Sequence, residues 1–546
     1  MSLQFAREAF TAEERAVLER HFSNLEGPVF ALTDLPEVVK GALFARYSRT
    51  SKSLRRLFLD EFADDVGPDG TLSRMGEARA EKLYDRVFVE FGDDSVAQLG
   101  GVHLACEQSS QLLCKALEWG RLAAYLEQST RYMRYDDKPG DEWRATIPSE
   151  IAGGAMEPRF RTYLDMVFET YGRLYEPMET FFRERFPKDP NDSDFVYRST
   201  ITAKTCDTLR TLLPAATRSN LGIYATGQSY EQLLMRLAVH PLAEMREYGE
   251  LMLVELRKVI PAFLKRVDAP DRGIAWSRYW RDTRERVEEV AGKALLGVAA
   301  EQRPEVTLTD HDPEGELKVA AAVLYAASDL PDDQLLERAR SLSSEERAEF
   351  LTASVGARTN RRHKPGRAWE RTQYRFDVVC DYGAFRDLQR HRPLTLEWQR
   401  LTTAHGDERP PEIDQANSRN EWDRVMEAGH AMEQELCAAG MEEVAQYAVP
   451  MAYRIRFVMQ MTAREAMHLT ELRSQPQGHP TYRRVARDMH RLIAERHPAI
   501  GAAFEYVSED DADLGRLEAE RRNEVKRASI QRPIDPAPDP AEEPGG

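Results

Sequence analysis

Cysteine is scarce, and what there is shows no paired spacing. Cys106, Cys114, Cys206, Cys380 and Cys437 are five in 546 residues. An odd number without a C-x-x-C pair argues against a disulfide framework or a thiolate zinc site and fits a reducing cytoplasm. Long apolar runs are missing as well. The longest, Val319 to Ala327, is about half of what a bilayer-spanning helix requires. The opening residues MSLQFAREAF have neither a basic start nor an apolar stretch, so no secretory signal is expected. No G-x-G-x-x-G follows a strand-like run and no phosphate-loop lysine occurs, which sets aside Rossmann and P-loop chemistry. Positive charge is in deficit: 75 basic side chains face 92 acidic ones, for a net charge of -17. That balance opposes general association with nucleic acid or anionic membranes. The expectation is a cytoplasmic protein with small-molecule partners, no nucleic acid and no membrane.

Most of the sequence has helical periodicity. The runs Ser110–Gln128 and Pro241–Ile260 place apolar residues at three- and four-residue steps with charges between them. Strict alternation is rarer and marks two short strands, Val306–Asp310 and Arg375–Val379, the first of them just ahead of a helix-like run from Glu316. The fold class expected is α+β, helix-rich with small antiparallel sheets. A charged, glycine-containing stretch, with a helix-like connector inside it, places the main boundary near Ala300. The expected domains are residues 1–299, residues 300–510 and a mobile tail over 511–546, acidic and then proline-rich.

Two passages echo each other. Leu213-Pro214, Met235-Arg236 and His240-Pro241 recur as Val449-Pro450, Leu472-Arg473 and His479-Pro480. Proline and arginine are 22 residues apart in the first set and 23 in the second. Ala45-Arg46-Tyr47-Ser48 is echoed by Tyr325-Ala326-Ala327-Ser328. The shared order predicts two diverged copies of one domain.

The chemistry-bearing residues are mostly arginines. Arg390-His391-Arg392 offers the forked donors that grip phosphate. Its counterpart, Trp119-Gly120-Arg121, keeps only the last arginine and leads to Ser129-Thr130-Arg131, a hydroxyl, backbone N–H groups and a guanidinium close together. A solvated basic turn and a capped helix with a surface arginine are the plain alternatives. Thr462 and Glu465 have the T-x-x-E spacing of a capping box, so a helix should begin at Ala463 with Arg464 in its first turn and Arg473 three turns on, on the same face. His490 and His497 lie two turns apart with nothing to complete a metal set, and are expected at the surface.

These motifs resemble the flavin-dependent thymidylate synthase family, whose signature is R-H-R, seven residues, Ser, any residue, Arg. The second copy keeps the opening, Arg390-His391-Arg392, and has Arg400 and Thr402 at the close. The first keeps the close, Ser129-Thr130-Arg131, and lacks the opening. The family's arginine four residues before Leu-Pro is Arg210 in the first copy and Gln446 in the second. Its Asn-x-Arg, with a further arginine nine residues on, is Thr462-Ala463-Arg464 with Arg473; the first copy shows Thr226-Gly227-Gln228 and Arg236. Losses are complementary, so one composite site is expected to survive.

The resemblance implies FAD-dependent reductive methylation of dUMP to dTMP, with methylenetetrahydrofolate as carbon donor and NADPH as reductant. By it Arg473 and Arg390 are catalytic. Glu127, Gln128, Ser129, Thr130, Arg131 and Arg210 join them in holding the nucleotide. Arg390, His391, Arg392, Thr462, Arg464 and His468 hold FAD. Family sites form between chains of a tetramer, so a homodimer making a four-domain body with one FAD per chain is expected. Three departures are plain. The family's glutamine three residues before R-H-R is Asp387, two flavin-holding asparagines are Thr462 and His468, and the early H-x-[ST]-x-x-x-E is Asp93–Gln98 in one copy and Pro365–Glu370 in the other. Another pyrimidine nucleotide as substrate, or a catalytically silent nucleotide-binding scaffold, are the alternatives.

Overall fold

The computed structural model describes residues 8–47, 50–62, 98–511 and 514–530. Ser48, Asp93 to Ala97 and the proline-rich end over 531–546, all invoked above, lie outside the described residues.

Two compact units make up the chain. One comprises residues 1–128, 148–152 and 218–300, and the other 129–147, 153–217 and 301–546. These are not the sequential domains 1–299 and 300–510. The end of the first unit falls at Ala300, but a large part of the first half belongs to the second unit.

The first unit holds a three-stranded antiparallel sheet. Its strands are β1 (Gly101–Ser110), β2 (Ala123–Glu127) and β3 (Arg218–Thr226), in the order β1-β3-β2. The second unit holds β4 (Val306–His311), β5 (Gln373–Asp381), β6 (Leu394–Trp398) and β7 (Arg454–Thr462), in the antiparallel order β4-β5-β7-β6. Alternation explains the second sheet: Tyr374, Phe376, Val378 and Cys380 of β5 and Ile455, Phe457, Met459 and Met461 of β7 all point into the core. Both strands read from the sequence are present, each slightly longer than expected.

The copies share a plan. In each, a strand runs into a helix capped at its start, then a partner strand follows, and later a central strand runs into a second capped helix. Ser110 caps Gln111–Glu118 after β1, and Asp381 caps Tyr382–Leu388 after β5. Thr226 caps Gly227–Ala238 after β3, and Thr462 caps Ala463–Arg473 after β7. β4 has no counterpart among the described strands.

The Leu213-Pro214 and Val449-Pro450 turns of the two copies meet inside the second unit. Pro214 pairs with Pro450 in an antiparallel bridge, and Ala215 N donates to Val449 O while Met451 N donates to Leu213 O, each at 2.9 Å. Tyr163, on the 30-residue helix Met156–Arg185, donates its hydroxyl to Ala448 O at 2.6 Å and locks the turn.

Three expectations are corrected. The run Ser110–Gln128 is not one helix: its helix stops at Glu118, and the residues after Trp119-Gly120 pair with β3 instead. His497 is buried, with the Tyr374 hydroxyl 2.7 Å from its Nδ1, because it closes the core beneath β5; His490 is partly buried against Gly501 O. The stretch after 511 is not without secondary structure among the described residues. Gly515–Ile530 is a helix, tied down where Arg521 Nε donates to Asp192 at 2.6 Å and Arg516 stacks on the Tyr132 ring. Arg516 and Arg521, interleaved with the acidic residues that suggested a solvated tail, find partners in the second unit.

Candidate functional site

The second unit gathers arginines from both copies around a few carboxylates. Asp207 is near the end of the helix Asp194–Leu209, three residues before Arg210, so both side chains lie on one face. Asp207 Oδ1 is 3.0 Å from Nε of Arg210 and 3.0 Å from Nε of Arg131. Its other oxygen is 3.2 Å from Nδ1 of His479, whose Nε2 lies 3.7 Å from Asp381. All of these are buried or nearly so. Burial alone would raise the Asp207 carboxyl; Arg131, His479 and Arg210 outweigh it and hold the group well below its ordinary range. Burial would likewise lower His479, but Asp207 and Asp381 lift it to about 9, so it is a cation at neutral pH.

Thr130 links the two copies' donors. Its hydroxyl oxygen accepts from NH1 of Arg386 at 3.2 Å and, more loosely, from NH1 of Arg210 at 3.5 Å. Arg131 is fixed further by NH2 donating to Gln477 O at 3.3 Å, and its own N–H donates to the Ser129 hydroxyl. NH2 of Arg210 is buried with no protein partner. An orphaned donor on a buried guanidinium is costly unless an anion meets it. Arg131, Asp207, Asp381 and His479 also line a cavity of about 340 Å³.

Asp387 sits on the helix Tyr382–Leu388, beside the R-H-R turn that ends it. Oδ1 is 3.4 Å from NH1 of Arg390 and 3.7 Å from NH1 of Arg473. Burial pushes its pKa up, but Arg390, Arg473, Arg210 and Arg131 pull it down to about 2. It is therefore an ionised acceptor among arginines, not a neutral amide as in the family pattern.

The R-H-R histidine does something its motif does not reveal. His391 Nδ1 is 2.8 Å from Oε1 of Glu465, and its Nε2 accepts from Nε of Arg473 at 3.0 Å. Burial, then Arg473 and His468, keep the imidazole neutral. The capping box is therefore half formed. Thr462 accepts from Glu465 N, while the Glu465 carboxylate turns to His391. Beside this chain, the His468 ring lies 5.3 Å from that of His391. Burial, then Lys364, Arg361, Arg473 and Arg464, hold His468 down at about 4. His391, Glu465 and His468 offer three donors within 4.8 Å of one another, but the surrounding cations make the field there favourable to anions.

The other expected residues divide. Arg473, Arg390, Thr130, Arg131 and Arg210 are brought together, and Ser129 braces Arg131. Arg464 donates Nε to Pro365 O at 2.9 Å and lies 3.6 Å from Glu370, so it stands at the helix start beside Lys364. Arg392 is exposed. Glu127 and Gln128 belong to the first unit, where Glu127 pairs with the buried Lys115 at 3.1 Å and Gln128 bonds to Asn220 and Ser219. In the second copy Gln446 holds Glu443 and Leu401 N, so nothing there replaces the missing arginine. Asp207, Arg386, His479 and Glu465 were not among the expected site residues. Asp207 had a local signal in its three-residue spacing from Arg210, and Glu465 one in its capping-box spacing from Thr462.

The chain is similar to several known proteins. UPF0159 proteins of Chlamydia pneumoniae and Chlamydia muridarum are 38% and 39% identical, over 95% and 94% of this chain and 98% and 99% of theirs. A third, from Thermoplasma acidophilum, is 29% identical over 90% of this chain and 99% of its own. A solved structure, that of the UMP/dUMP methylase PolB from Streptomyces cacaoi bound with 5-Br dUMP, aligns with 38% of this chain and 97% of its own at 21% identity and a TM-score of 0.29. No helix among the described residues is long and apolar enough to cross a membrane. The family model for thymidylate synthase complementing protein matches residues 41–262 and again 306–499, and the chain belongs to that family, with two copies of its domain in tandem.

Proposed function

We propose that this protein methylates the uracil ring of a nucleoside monophosphate, converting dUMP to dTMP with FAD, methylenetetrahydrofolate as carbon donor and NADPH as reductant. One observation carries the reading. Arg131 and Arg210 of the first copy stand in one unit with Arg386, Arg390 and Arg473 of the second, and a buried N–H of Arg210 still seeks an acceptor. A phosphate dianion suits that donor set, with Asp207 and His479 holding the first two arginines in place. Arg473 lies beyond Asp387, where its terminal N–H groups can meet a uracil carbonyl and stabilise negative charge as C5 becomes nucleophilic.

The residues beside it suit a flavin dinucleotide. Arg464, Arg361 and Lys364 supply cations at the start of the helix Ala463–Arg473, where backbone N–H groups also favour a pyrophosphate. His468 and His391 add neutral, half-buried and buried imidazoles. FAD bound there would supply hydride transfer to the one-carbon unit. Arg464 and Lys364 would then bind and orient the cofactor, and the buried His391 would keep water from its side of the ring.

Asp387 favours a second reading at the same site. An ionised carboxylate between the phosphate-binding arginines and Arg473 is placed to accept from a sugar hydroxyl, so a ribonucleotide such as UMP is the alternative substrate. The test is absorbance of the purified protein near 450 nm, then tritium release from C5-labelled dUMP and UMP. A yellow protein releasing tritium from either supports the reading. A colourless protein that binds neither nucleotide overturns it and leaves a silent scaffold.

A further inference from the structure

The hydrogen-bond chain Glu465–His391–Arg473 has a direction. Arg473 Nε carries a hydrogen at every accessible pH, so the 3.0 Å contact makes His391 Nε2 an acceptor. A neutral imidazole then carries its one hydrogen on Nδ1, which donates to Oε1 of Glu465 at 2.8 Å. All three groups are tied to rigid elements. Glu465 and Arg473 are the third and last residues of one helix, and His391 is held in the turn that ends Tyr382–Leu388. With Nε spent on His391 and NH1 directed toward Asp387, the guanidinium plane of Arg473 has one orientation.

We propose that Glu465 is a positioning residue for Arg473, acting through the tautomer of His391, and that one proton delivered to the Glu465–His391 pair releases the arginine. This rests on the reading that Arg473 faces a nucleotide base. The proton enters at Nε2 while the Nδ1 hydrogen passes to Oε1, so a neutral Glu465 carboxyl donates to Nδ1 and the hydrogen now on Nε2 meets the N–H of Arg473. Two donors then oppose each other and the contact breaks. The groups that face the pair are known from each side. Arg464 and His468 come from its own helix, Lys364 from the segment before Pro365, with Arg361 behind it facing His468 and Lys364, and Arg473 from the helix end. Burial lifts the Glu465 carboxyl to about 7 against Lys364 and Arg464, which puts the switch in the physiological range.

Histidine 15N NMR on the full chain, without nucleotide, reads the tautomer directly. His391 should show hydrogen on Nδ1 at pH 8 and move it to Nε2 as the pH falls through about 7. Glu465→Gln keeps an acceptor for Nδ1–H but removes the titrating group, so its His391 should hold the Nδ1–H form across that range. In parallel, dUMP Kd for the wild type should rise about tenfold between pH 8 and pH 6, the loss of one charge-assisted contact. Glu465→Gln should stay flat, and Glu465→Leu should bind about tenfold more weakly at both pH values. Hydrogen on Nε2 at pH 8, or an identical profile in Glu465→Gln, overturns the proposal. The expected tautomer without nucleotide binding at any pH supports the positioning chain and overturns the nucleotide reading instead.

Discussion

Asp207 and His479, 272 residues apart in sequence, form a buried ion pair with Nδ1 3.2 Å from Oδ2. The pair fastens the helix that ends before Arg210 to the turn that follows Arg473. Asp207 also serves Arg131 and Arg210, so one carboxylate offsets three cations. Its removal would leave all three without their shared partner.

Asp207→Ala should therefore destabilise the protein by about 3–5 kcal/mol, the cost of breaking a buried charge pair. Urea denaturation measures it. A loss below about 1 kcal/mol, typical of exposed pairs, would show that the cluster is solvated.

The same pair sets a pH dependence. His479 is raised from 6.5 to about 9 in the folded chain, so its stabilisation is complete below pH 6.5 and is lost as the pH climbs through 9. Denaturation midpoints should fall over that interval, and His479→Gln should flatten the fall. A wild-type midpoint rising between pH 7 and 9 would contradict the assignment.

Arg131→Ala and Arg210→Ala should each weaken dUMP or UMP binding by about ten- to a hundredfold, as expected for a charge-assisted bond of about 1.5–3 kcal/mol. Arg121→Ala, at the counterpart position of the first copy, should leave Kd unchanged. Calorimetric titration distinguishes them, and equal losses in all three variants would dissolve the composite site.

The C-terminal helix should matter to the loop that carries Arg131. The Arg516 guanidinium carbon lies 4.2 Å from the centroid of the Tyr132 ring, next to Arg131. Arg516→Ala should raise nucleotide Kd about two- to fivefold, the value of an exposed cation–π contact. An unchanged Kd would confine the helix to a structural role.

The grouping of Arg131, Arg210, Arg390 and Arg473 was legible because arginines at family spacing stand out in the chain itself. Thr462 likewise announced its helix, since a cap acts on residues three positions away. What escaped notice depends on distance or on competition. β2 was hidden because Ala123–Glu127 follows a true helix with compatible apolar spacing, and only pairing with β3 decides its state. Glu465 fits a capping box locally, yet His391, 74 residues away, takes its carboxylate. His479 gives no local sign of Asp207. The tail helix was obscured by the acidic residues just before it.

The paired turns at Pro214 and Pro450 change how this arginine grouping responds to dilution. Where a site is assembled from separate chains, its population falls as the protein is diluted, by mass action. Here Pro214 and Pro450 meet within one covalent chain, so the arginines of both copies are held at a fixed effective concentration. This grouping forms as the one chain folds and should be the same at nanomolar and micromolar protein. A chain so arranged is free to lose motifs from either copy, provided each loss is matched by retention in the other.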